Sequence, residues 1–323
     1  MRRILGPLLF GLGAFLLVAG LLVKFYAYPR LAVAPIDQNS VTRLQATGAE
    51  IFDTTTLKPL DTDLSIQSRT VGDVKASEDR GDNVRVWVNS TSIRSDDGVV
   101  RSRTTERTAF DATTAEAVSC CGAFDEATEG DRQSVKRSGL VYKWPFDTQK
   151  KSYKVWDGTA GEAVTAKYVK ESSVQGLKTY EFTLEVPRSS VGTREVPASV
   201  VGESGSGNVE ADQMYATSNV YQVEPKTGVI VTQTLDTKNT LAVDGEDRVT
   251  TTAAKIEYTP AQVTKFVDQL KSKAGPLGLV QTTVPIITIL LGLALIAAGF
   301  VLGRREEGRE VGGSRRRDKG DLA

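Results

Sequence analysis

Few side chains in this sequence are placed to do chemistry. Histidine is absent, which removes imidazole acid–base catalysis, Ser-His-Asp and Cys-His nucleophile systems, and histidine metal sites. Carboxylate, lysine and serine chemistry remains, but no spacing of these residues marks a reaction. The expectation is a non-enzyme, with no catalytic residue, cofactor or metal ligand to assign. Both cysteines are adjacent, at Cys120 and Cys121. Neighbouring Cα atoms lie about 3.8 Å apart, below the usual disulfide range of about 4.4–6.8 Å. A strained vicinal disulfide, two free thiols and bridges to another chain are the alternatives. Asp96-Asp97-Gly98 and Asp244-Gly245-Glu246-Asp247 could offer oxygens to calcium. Neither has EF-hand spacing, and Asp-Gly pairs form turns. The glycine loop from Gly202 to Gly207 lacks the Lys-Ser/Thr ending of a phosphate loop and reads as a flexible connection.

The remaining candidate is aromatic. From Gly139 to Asp157 the chain reads GLVYKWPFDTQKKSYKVWD, with two of the three tryptophans. Tyr142, Trp144, Phe146, Tyr153 and Trp156 either pack in a core or line a cavity for an apolar ligand, with lysines at its mouth.

What positions these residues is a series of strands. In Thr179–Val186 every second residue is apolar, so Tyr180, Phe182, Leu184 and Val186 share one face. Val84, Val86 and Val88 alternate with Arg85 and Trp87 in the same way. Residues 219–223 and 229–235 flank a Pro/Gly turn and read as a hairpin, as do 163–172 and 177–186 around Gln175-Gly176. Residues 248–258 form a further strand. The fold class is therefore mainly β, an antiparallel β-sandwich or open barrel. It ends in an amphipathic helix at 259–274, capped by Thr259, with Val263, Phe266, Val267 and Leu270 in one stripe and Lys271 and Lys273 near its end.

Two segments carry no charge, Ile4 to Val23 and Val284 to Leu302. At about 1.5 Å per residue each reaches roughly 30 Å, the thickness of a bilayer core. Ala32-Val33-Ala34 resembles a signal-peptide cleavage site, but the apolar run is longer than an h-region and Pro35 would follow the cut, so a retained anchor is expected. Arg2 and Arg3 precede the first helix, and Arg304, Arg305, Arg309, Arg315, Arg316, Arg317 and Lys319 follow the second. Both termini are then cytoplasmic and the β domain is held outside a plasma membrane. The expected division is a transmembrane helix at 1–24, an extracytoplasmic domain at 25–278, a second transmembrane helix at 279–303 and a basic tail at 304–323 that meets anionic lipid. The domain between the helices is mildly acidic, which gives no support for nucleic-acid binding.

The segments FDATTAEAV, from Phe110 to Val118, and GLVYKWPFDTQKKSYKVWD, together with the two flanking helices, resemble the PorA family of actinobacterial membrane proteins. The resemblance covers almost the whole chain and supplies no catalytic residue. It is also similar to a mycobacterial polar growth factor linked to envelope lipid handling and cell elongation. That likeness implies a cell-envelope role, with membrane lipids and other envelope-synthesis membrane proteins as partners. A lipid-binding accessory and a non-catalytic scaffold are the leading alternatives, ahead of an enzyme or a pore. A membrane-spanning barrel would need a lipid-facing apolar band on its strands, whereas these strands sit between two apolar helices that already provide anchoring.

Overall fold

The computed structural model describes residues 2–81 and 83–313, with side chains described except at 2–4, 273–276 and 303–313. Two compact units result, one formed by Val33–Ser272 and one by the terminal segments. The helices are α1 (Arg2–Leu22), α2 (Tyr28–Leu31), α3 (Val74–Glu78), α4 (Pro260–Gly278) and α5 (Val284–Gly313). The strands are β1 (Asn39–Asp53), β2 (Lys58–Gly72), β3 (Val84–Ser95), β4 (Val100–Asp111), β5 (Phe124–Thr128) and β6 (Asp131–Ser134). They continue as β7 (Tyr153–Asp157), β8 (Glu162–Val174), β9 (Leu177–Pro197), β10 (Asn208–Val223), β11 (Ile230–Val243) and β12 (Glu246–Tyr258).

All twelve strands belong to one sheet, in the order β6-β5-β4-β3-β2-β1-β12-β11-β10-β9-β8-β7. Neighbouring strands are antiparallel throughout. Short hairpins permit this order: Gln175 and Gly176 both have positive φ, at 47° and 79°, the geometry a two-residue turn needs to match strand twist. The result is mainly β and antiparallel, as the alternation implies, but it is a single curled sheet and not two stacked ones. The curl is visible in the packing: Trp87 and Phe110, from β3 and β4, share one core with Phe182, Leu184 and Tyr221, from β9 and β10. Three isolated bridges span the remaining gap, Phe110↔Ala117, Glu116↔Leu140 and Leu140↔Val155. They carry pairing from β4 to β7 across the segment between them.

On β2 the burial pattern separates the faces. Leu60, Thr62, Leu64, Ile66, Ser68 and Thr70 are buried or half-buried, while Asp61, Asp63, Ser65, Gln67, Arg69 and Val71 are exposed. β3 is covered on both sides. Trp87 faces the core, whereas Val86 is sealed by α3, whose Ser77 hydroxyl receives the Val86 N–H at 3.0 Å. α4 lies on the sheet, with Val267 and Leu270 packed against Leu177 and Val231. Thr259 caps it by accepting the Gln262 N–H at 3.2 Å.

In the terminal unit, Leu5–Leu31 and Leu279–Leu302 are apolar runs of 27 and 24 residues, only 11 % and 17 % buried, so they are not core helices. Such helices suggest membrane association. α1 and α5 run antiparallel along a glycine seam of period seven. A Cβ added at Gly13 would lie 2.6 Å from the Gly292 carbonyl oxygen, and one at Gly299 would lie 2.8 Å from that of Gly6. Small residues let apolar helices approach where no hydrophobic effect drives them together. Of the basic residues expected to fix orientation, the side chains of Arg2, Arg3, Arg304, Arg305 and Arg309, and all of Arg315, Arg316, Arg317 and Lys319, lie outside the described residues, as does the Lys273 side chain.

Candidate functional site

The inner face of the curl has an aromatic part and a polar part. The aromatic part is built by the segment between β4 and β7. Trp144 is 1 % exposed and packs on Phe182 and Tyr221, with ring centroids 5.3 and 5.0 Å away. Tyr142 reaches the other side of the core, 5.5 Å from Trp87 and 5.6 Å from Phe110. This segment is held down by the turn after β10. The Trp144 N–H donates to the Gly228 carbonyl at 2.8 Å, and Gly228, at φ 71°, leaves no room for a Cβ, which would stand 2.0 Å from the Trp144 oxygen.

The polar part lies on β2, β3 and β4. Asn89 donates to Ser68 and Thr70, each at 2.8 Å, and Thr91 donates to Asn89 and Ser68. Beside Asn89 in the register is Glu106. Its side chain is 38 % accessible, yet burial raises its pKa, against the pull of Arg137 and with reinforcement from Asp125. Side chains alternate along a strand, so Glu106 shares the face of β4 that carries the core residue Phe110. The Tyr142 hydroxyl lies beside Glu106 and Thr108, enclosed and without a hydrogen bond of ordinary geometry. Arg137 is 7 % exposed. It donates to Asp125 and lies 3.5 Å from Glu106, while its Nε is enclosed without a partner. Burial also pushes up the hydroxyls of Tyr221 and Tyr258. Tyr258 is half-buried.

Lys143 is a separate feature. Its ammonium is 3.5 Å from the centroid of the Phe146 ring and has no hydrogen-bond partner. Burial depresses its pKa to about 7, opposed by the Glu224 carboxylate. Glu224 is itself occupied, accepting the N–H groups of Lys226 and Thr227 and the Thr227 hydroxyl.

The sequence-derived aromatic candidates thus fall mostly within packed protein. Tyr142, Trp144, Tyr153 and Trp156 belong to the inner core, and Phe146 lies at its margin under Lys143. Tyr142 alone stands beside Glu106. Sequence reasoning did not single out Glu106, Arg137 or Asn89; Glu106 sits in a polar stretch of β4 with no apolar alternation to mark its inward face. A groove of about 790 Å³ lies elsewhere, along β7 to β11, and none of the five aromatics lines it. Cys120 and Cys121 are bonded to each other, with Cα atoms 3.8 Å apart and Cys121 at φ 65°. The Cys121 carbonyl accepts Arg107 Nε at 3.0 Å, and Arg107 pairs with Asp73 at 2.7 Å. The acidic candidates are turns: Asp97 accepts the Val99 N–H, and Asp244 and Gly245 form the β11–β12 hairpin.

A curled antiparallel sheet joined to two apolar helices, with a polar row beside its aromatic core, defines a membrane-associated β protein. The chain belongs to the PorA family, whose sequence profile, described as Porin PorA, matches residues 5–301. It is similar to Porin PorA of Corynebacterium amycolatum, 23 % identical over 382 residues, covering 93 % of this chain and 98 % of the relative.

Proposed function

We propose that this chain is a cell-envelope protein anchored in the plasma membrane by α1 and α5, with both termini cytoplasmic, and that its curled sheet holds part of an envelope lipid. The observation that carries this reading is the polar row formed by Glu106, Asn89, Ser68 and Thr70 on the strand faces that also carry the core residues Trp87 and Phe110. In this reading the polar row is the wall of a pocket enclosed by the curl. Asn89, Thr70, Ser68 and Thr91 supply hydroxyl and amide groups along the same wall, and Trp87 and Tyr142 supply apolar surface next to it. That combination suits the junction between a polar head and an apolar chain. No arrangement of these groups supports a reaction, and the role proposed is binding, not catalysis.

Adjacent cysteines test the pocket. Asn89→Cys points inward and Ser90→Cys outward. Both should react with a small thiol reagent in the full chain, but a bulky polymer-linked maleimide should modify position 89 at least about tenfold more slowly. Equal rates at the two positions would remove the pocket.

A pore is the second reading, favoured by the name of the corynebacterial relative. The outward face of β2 carries Asp61, Asp63, Gln67 and Arg69, all exposed. Arginine or lysine on a lipid-facing strand costs about 2–4 kcal/mol at mid-bilayer and a carboxylate less, which disfavours a conducting path walled by these strands.

A further inference from the structure

The pairing between β8 and β9 ends early. Their last paired residues are Ala166 and Leu184. Beyond them β8 stays bonded to β7 as far as Glu162, and β9 continues to Pro197 paired only with β10. The reason is the closure of the curl: β7 is tied through Leu140 toward β4, and it draws the end of β8 away from β9. A wedge is left between two strand edges.

The groove of about 790 Å³ occupies this wedge. Its walls include residues 162–165 of β8 and 185–187 of β9, each as a consecutive run. Side chains alternate between the faces of a strand, so an uninterrupted run means that main-chain edges form the wall. Edge N–H and C=O groups without a strand partner are a template for another strand. Lys154, Lys167 and Lys238 line the groove together with Glu162, Glu185 and Asp236, three charges of each sign. An acyl chain lying here would desolvate charges and main-chain groups without satisfying them. An extended peptide satisfies the main chain and can pair with charges of both signs.

We propose that this wedge docks an extended peptide segment of a partner protein, which adds to the parted β8 and β9 edges by backbone hydrogen bonding. The four-residue β8 edge spans about 13 Å at roughly 3.3 Å per residue, so the guest is short, about four to six residues. Pro187, which lacks an N–H, limits the β9 side. The guest is polar, with charges of both signs. This mode is independent of the lipid site proposed above, which lies on the opposite face of the sheet.

The test uses the full chain in detergent as bait for a phage-displayed library of random heptapeptides. Selected peptides are then synthesised, and their affinity is measured by fluorescence polarisation. Binding should weaken about tenfold or more when alternate peptide nitrogens are methylated, because each methyl removes a backbone donor. Ala163→Tyr, which fills the groove from the solvent face of β8, should weaken it similarly. A Val164→Cys/Val186→Cys staple, which extends the β8–β9 register and closes the wedge, should do the same. Failure to enrich any peptide over the Ala163→Tyr bait would overturn the proposal. So would selected peptides that tolerate N-methylation.

Discussion

Lys143 is the residue whose environment makes the sharpest prediction. Its pKa falls from 10.5 to about 7 because burial disfavours the charged form. Between these values the unfolded chain holds a proton that the folded chain has lost, so stability should rise with pH across that window. Below about 7 both states are protonated and the slope vanishes. Lys143→Met should stabilise the protein by about 1–3 kcal/mol at pH 6, since it removes a buried charge while keeping volume. It should also flatten the pH dependence in thermal melts between pH 7 and 10. A variant less stable than wild type at pH 6 would mean that the ammonium is paired. Trp144→Ala should cost about 3–5 kcal/mol in denaturant unfolding, the usual range for a large buried aromatic. The aromatic stretch was legible in sequence as important, but composition cannot separate core packing from cavity lining. The polar residues on the inner face were less legible still. Glu106, Asn89 and Arg137 are ordinary polar residues on or beside alternating strands, and only the curl turns them inward.

At the scale of elements, alternation read the strands well wherever one face meets the core and the other water. Tyr180 to Val186 follows the expected pattern, as do the hairpin turn at Gln175-Gly176 and the helix that begins after Thr259. β3 departs from it, because the Arg85 and Trp87 side that alternation would have left to solvent is buried, with Trp87 in the core, while α3 covers the valine side. Closure of the curl was not legible, since it rests on single-residue bridges at Ala117, Glu116 and Leu140 that leave no periodic trace. The helix pair offers a clean test at this scale. Gly13 and Gly292 face each other, whereas Gly11 has nothing within 4 Å. Gly13→Leu should therefore abolish disulfide crosslinking between cysteines placed across the α1–α5 seam in membranes, while Gly11→Leu should leave it intact. Equal effects would mean that the two helices do not pack along this seam.

For the whole molecule, the two readings separate on where lipid sits. An anchored lipid-binding protein keeps lipid within its sheet, and purified full chain should give no discrete conductance steps in planar bilayers. Reproducible single-channel steps would instead support the pore. The most direct measurement is mass spectrometry of organic extracts from the detergent-purified full chain, comparing wild type with Glu106→Leu. Our account predicts a reproducible envelope lipid at close to one per chain in the wild type, and its depletion in a variant that still folds. The same adventitious mixture of membrane lipids in both samples, with no species near stoichiometry, would contradict it.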